Sequence, residues 1–239
     1  GKNGYFVDTA VNYRSPHATT TLPENAVALK AMPDTCVTCH MDLVPATSTG
    51  RGTNHKFKIA AADVCSKCHG EGMMAVPRQA EVEELLESLA AKIEAGALAT
   101  INKQTTLGQT QIKLKAYLFD ANGAELGQTA EIAVDIAKIQ SLEFTEPHGQ
   151  QGFWVTFTQN LDFTTTTGTA VNTNKVEVQL GTFKDMSGAA LFPPATDNII
   201  KAGWNYFLVH GDGSKGAHNW PFVLAILDGA ITAMNGRTP

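Results

Sequence analysis

Two five-residue units carry the chemistry written into this chain: Cys36-Val37-Thr38-Cys39-His40 and Cys65-Ser66-Lys67-Cys68-His69. In each, two thiols are separated by two residues and an imidazole follows the second thiol. That spacing suits covalent attachment of a c-type haem, whose two vinyl groups each take one thiol. The next residue, a histidine, then lies under the iron as its proximal ligand. All four cysteines of the chain fall in these units, so none is left for a disulfide. Two other chemistries use paired cysteines. A structural zinc site draws on C-x2-C pairs, and a redox dithiol needs one such pair. Neither explains why histidine follows the second cysteine both times, in a chain with seven histidines in all. The spacing predicts two covalently attached haem c groups. Cys36, Cys39, Cys65 and Cys68 supply the thioethers, and His40 and His69 are the proximal iron ligands.

Each iron has a second axial position to fill. His17, in Arg14-Ser15-Pro16-His17, reads either as an isolated surface histidine or as a distal ligand. His55 stands in Gly50-Arg51-Gly52-Thr53-Asn54-His55-Lys56-Phe57, where the glycines let the backbone approach another group closely. The ligand reading is favoured there over an exposed loop histidine. His218 lies between a glycine-rich stretch and a helix start at Trp220-Pro221, well placed to reach an iron. His210 is the weaker alternative. The stretch Gly213-Ser214-Lys215-Gly216 is no phosphate loop, because the GK[ST] ending is missing and no strand leads into it. Met73 and Met74 lie too near His69 to swing round to the same iron, and Met41 adjoins a proximal ligand. His148, in Pro147-His148-Gly149, reads as an exposed loop residue.

The elements that must position these groups change character along the chain. Residues 1–35 hold Pro16, Pro23 and Pro33, which break any long helix. They read as extended chain with one short helix near Glu24–Ala31. After His69, Val82, Leu85, Leu86, Leu89 and Ile93 recur at helical spacing, with Glu81, Glu83, Glu84 and Glu87 on the other side and Gly96 as a stop. From Leu107 to Phe192 the period becomes two: Ile112, Leu114, Ala116 and Leu118; then Ile132, Val134 and Ile136; then Phe153, Val155 and Phe157; then Val176, Val178 and Leu180. Asp120-Ala121-Asn122-Gly123 makes a turn between the first two runs, and Thr164 to Thr167 is β-prone. Beyond it, Asp197 caps a helix with Ile200, Trp204, Phe207 and Leu208 on one face. Pro221 fits the first turn of a final helix reaching about Met234. The expected fold is α+β. A loop- and helix-rich dihaem domain (1–106) carries an inserted antiparallel, sandwich-like β module (107–192), and C-terminal helices (193–239) return with a distal histidine.

Composition bounds the partners. Apolar residues make up 43% of the 239 and support a proper core. No apolar run reaches the roughly 18 residues of a transmembrane helix. The formal charge is −5 before any haem propionates. Nucleic acid is disfavoured and basic or neutral protein surfaces are favoured. Thioether attachment takes place outside the cytoplasm, so the expected location is periplasmic or extracellular, with a leader removed.

With these residues in view, the chain resembles the large multihaem cytochrome c group. That group comprises the pentahaem nitrite reductases, their octahaem relatives and the extracellular multihaem cytochromes of metal-reducing microbes. Four features carry the likeness: Cys36-Val37-Thr38-Cys39-His40-Met41, Asn54-His55-Lys56-Phe57, Cys65-Ser66-Lys67-Cys68-His69, and Gly213-Ser214-Lys215-Gly216-Ala217-His218-Asn219. Their order and spacing match the group's C-terminal haem pair, over roughly residues 13–98 and 197–235. The β module is an insertion on which the group is silent. The resemblance implies mostly bis-histidine irons, with His40 and His218 on one of them. It implies that His55 serves a haem outside its own pair. The position that would supply a partner to His69 reads Val27-Ala28-Leu29, so His17 and His55 are the candidates. The function implied is electron transfer to redox protein partners by an extracytoplasmic dihaem cytochrome. Self-assembly into a haem filament through His55 is compatible with it. The alternative is a reductase of a small nitrogen compound or oxyanion at an open haem. The CxxCK unit that the nitrite reductases use for such an iron is missing from this chain.

Overall fold

The computed structural model describes residues 4–8, 10–11, 76–194, 196–215 and 219–237. These form α1 (Val76–Thr106), seven strands, α2 (Asn198–Asp212) and α3 (Trp220–Asn235). The fold is α+β, with both sheets antiparallel. By contacts the chain divides into two compact units. One comprises Gly1–Val7, Leu85–Gly211 and Ile226–Pro239, the other Asp8–Glu84 and Asp212–Ala225.

The strands lie in the first unit. Strands β1 (Gln111–Leu114) and β4 (Ile132–Asp135) pair as a small sheet. The larger sheet has the order β3-β2-β7-β6-β5. It is built from β2 (Ala116–Phe119), β3 (Glu125–Gln128), β5 (Ile139–Thr145), β6 (Gly152–Thr164) and β7 (Ala170–Gln179). The first sequence run is therefore two strands. The chain leaves one sheet at Leu114 and joins the other at Ala116. Burial still alternates through the change, with Ile112, Leu114, Ala116 and Leu118 all inside. Phe153, Val155 and Phe157 face the same interior from β6, as do Val176 and Val178 from β7. Phe183 and Phe192 then close the core, with Phe183 meeting the rings of Phe153 and Phe192 edge-on at 6.2 and 5.7 Å.

Three hairpin turns share one construction. Asp120, Thr165 and Asp185 each pair with the residue four positions on, and each accepts that residue's N–H through its side chain at 2.8, 2.9 and 2.8 Å. The position before that residue is Gly123, Gly168 or Gly188, each at positive φ, which is the three-residue hairpin loop with a glycine bulge. The threonine run is thus a turn, with Thr165 buried in the role that aspartate plays in the other two.

The helices depart from expectation in two places. Helix α1 does not stop at Gly96 but runs on to Thr106. Its buried stripe continues through Ile93, Ala97 and Ile101, while Glu81, Glu83, Glu84 and Glu87 are exposed as expected. Gly96 marks a close approach instead. A Cβ there would lie 2.9 Å from Met234 Cε, and its carbonyl accepts from Arg237 Nη1 at 3.1 Å. Helix α2 begins as expected, with Asp197 Oδ1 accepting from Ile199 N at 2.9 Å. Its buried face, however, is Ile199, Ala202, Asn205 and Val209. On the apolar face read from the sequence, Trp204 and Leu208 are 45% and 37% exposed. The residue that fastens the inner face is an asparagine, Asn205. Helix α3 holds Pro221 in its first turn and ends at Asn235, with Asn219 Oδ1 accepting from Phe222 N at 3.4 Å.

The exposed edge of the larger sheet is capped by a helix side chain. Glu94 of α1 accepts from Phe144 N on edge strand β5 at 2.8 Å, so a lone ladder donor is satisfied. Burial is the main influence pushing the Glu94 carboxyl above its ordinary value; the Phe144 N–H opposes it and the charge of Glu143 adds to it. A raised carboxyl contributes stability that is fully present below the ordinary value of 4.5 and lost as pH rises through the raised one. Glutamine keeps the acceptor and does not titrate. Glu94→Gln should therefore be more stable than the parent at about pH 7 and no more stable at about pH 3.5 in denaturant midpoints. A difference that stays flat between those pH values would contradict this account.

Candidate functional site

Cys36, Cys39, His40, Cys65, Cys68 and His69, with His17, His55 and His218, all lie outside the described residues. As a donor set they fit a covalently bound haem, since each unit offers two thiols at the required spacing and an imidazole beside them. Among the described residues no group of three His, Cys, Asp or Glu side chains is placed to hold a metal ion. No described helix is long and apolar enough to cross a membrane.

The two described histidines are His148 and His210. His148 is exposed, as expected of a loop residue, but it is held in place. It sits at a φ of 52° in the turn Pro147–Gly149, stacks on Tyr117 at 4.2 Å, and sets Nε2 at 3.2 Å from Glu125 Oε2. Tyr117 on β2 lies opposite Glu177 on β7, which lies opposite Trp154 on β6, so the three share the outer face of the sheet. Glu177 is 9% exposed, and burial raises its carboxyl against the opposing influence of His148 and the Thr145 hydroxyl. Lys175 stands 5.1 Å over the Trp154 ring and 3.1 Å from Glu143. Sequence reasoning did not find this cluster. Strand register joins Tyr117, Glu177, Trp154 and Glu143, and no local pattern marks the cluster. Because His148 is engaged by Tyr117 and Glu125, His148→Ala should leave the visible spectrum of the loaded protein unchanged. Conversion of one haem to high spin in that variant would overturn the expected division between the β module and the residues that would bind haem.

His210 stands in the last turn of α2, exposed, with its ring stacked on Tyr206 at 5.5 Å and 13°. Tyr206 in turn meets Phe144 and Phe207 edge-on at 5.3 and 5.1 Å. Burial raises the Tyr206 hydroxyl, and the charges of Glu94 and Glu87 raise it further. The imidazole of His210 therefore rests against the aromatic cluster that fastens α2 to the sheet.

No family model matches the chain, and no curated protein or solved structure does so either.

Proposed function

We propose that this chain is an extracytoplasmic dihaem c-type cytochrome that transfers electrons between protein partners. The observation that carries the reading is the pair of CxxCH units, which take every cysteine in the chain. Cys36 and Cys39 would hold one haem with His40 beneath it, and Cys65 and Cys68 the other with His69. The bound group supplies one-electron chemistry at iron. The chain's own residues would fix the groups covalently through the four cysteines and would supply imidazoles to the irons. His218 is assigned to the iron of His40. His17 or His55 goes to the iron of His69, with His55 available to a neighbouring chain. An imidazole on each face of both irons would leave little room for a substrate, which separates a carrier from a reductase. The acidic balance of −5 favours partners with basic or neutral surfaces.

Carbon monoxide decides between the two classes. A carrier with two imidazoles on each iron should bind it slowly or not at all in the native reduced state. Rapid binding to the native reduced protein would assign the chain to small-molecule reduction at an open iron instead.

A further inference from the structure

The stretch Gly4–Val7 is fastened to the first unit by a fully buried side chain. Asn205 of α2, 0% exposed, meets the Tyr5 backbone in both directions. Tyr5 N donates to Asn205 Oδ1 at 2.7 Å, and Asn205 Nδ2 donates to Tyr5 O at 2.8 Å. The same Nδ2 donates to Ile226 O at 2.9 Å, which fixes the amide against α3. The fit is close on either side of that pairing. A Cβ on Gly4 would lie 2.8 Å from Ile226 Cγ2, and one on Gly229 would lie 2.3 Å from Phe6 O. Phe6 itself takes a φ of 60°, a region rarely used by bulky residues. The slot between α2 and α3 thus reads a main-chain N–H and C=O pair, a residue lacking a side chain before it, and a carbonyl pressed against a helix glycine after it. Main-chain pairing of this kind supplies affinity for a peptide segment, and the close contacts supply selectivity.

The strap is also remote in sequence from the rest of its unit. Residues 8–84 belong to the other unit, and the first unit resumes at Leu85. A short segment that docks without a covalent bond at the end of so long a connection can be exchanged between identical chains at little cost. We propose that the α2–α3 slot is a segment-binding site and that the Gly4–Val7 strap of a second copy enters it, joining chains by exchange. The contact uses no iron ligand, so it stands whether or not the haem assignment above holds.

Two full-length variants test it, both carrying His55→Met so that joining through an iron ligand is read apart. The strap variant, Tyr5→Pro with Gly4→Val, cannot dock its own strap but keeps an open slot. The slot variant, Gly229→Ala, keeps its strap but blocks Phe6, and alanine within a helix favours the helix. Each alone should sediment as a monomer at about 100 μM, and their mixture as a one-to-one dimer. A labelled peptide with the sequence of residues 1–8 should bind the strap variant saturably, one per chain, and fail to bind the slot variant. A mixture that stays monomeric would overturn the exchange. A peptide that binds both variants alike, or neither, would overturn the slot.

Discussion

Arg237→Met should lower the stability of the protein by about 3 kcal/mol, the low end of what breaking a buried ion pair costs. The guanidinium meets Asp197 through two parallel bonds, Nε to Oδ1 at 3.0 Å and Nη2 to Oδ2 at 2.9 Å. Both side chains are 9% exposed, so removing the cation strands a carboxylate with little water. The third nitrogen donates to the Gly96 carbonyl in α1. One side chain thus ties the end of α3, the start of α2 and the middle of α1. The estimate sits at the low end because Asp197 keeps one partner, the Ile199 N–H it caps. For a chain of this size the loss corresponds to a fall in Tm of roughly 6–12 °C, read by circular dichroism. Asp197→Asn added to Arg237→Met should restore part of it, since no charge is then left buried. The exposed pair of Lys175 and Glu143 gives the contrast. Its side chains are 46% and 67% exposed, and Lys175→Met should cost no more than about 1 kcal/mol. Similar losses from Lys175→Met and Arg237→Met would remove burial as the deciding factor.

The second large effect concerns coordination. Candidate distal histidines outnumber the irons that the two CxxCH units would hold. Both irons are therefore expected to be low-spin and six-coordinate, oxidised and reduced. His218→Ala should convert one haem, and only one, to a high-spin ferric form that binds carbon monoxide once reduced. Added imidazole should return it to low spin by supplying the missing ligand. If His218→Ala left the spectrum untouched, the assignment of His218 to the iron of His40 would fall. His210→Ala, which removes a ring stacked on Tyr206, should leave both irons low-spin.

What could be read in advance was whatever depends on adjacent residues. Thiol attachment needs a fixed local spacing, so the CxxCH units stand out without a fold. The Asp197 cap, the Asp120 turn and the Val82–Ile93 stripe are local in the same sense, and the structure places each where the spacing put it. Strand β5 escaped notice because a register shift between Ile139 and Ser141 breaks its alternation. Strand β3 escaped because Glu125–Gln128 holds a single large apolar residue. Gly96 was misread because a glycine that lets helices approach looks, in sequence, like one that ends a helix. The inner face of α2 was not legible because Asn205 is buried for its hydrogen bonds, and its partner Tyr5 lies 200 positions away. The proposed pairing of candidate distal histidines with irons belongs to this second kind. Residue type names the candidates, but tertiary placement chooses among them.

The mass of the denatured, unreduced protein tests the central claim most directly. Thioether bonds survive denaturation, so a dihaem chain should exceed its polypeptide mass by two haem groups. The increment should fall to one when Cys36 and Cys39 are both replaced by serine, and to one again when Cys65 and Cys68 are. A colourless protein at the bare polypeptide mass, carrying zinc released on unfolding, would contradict the account.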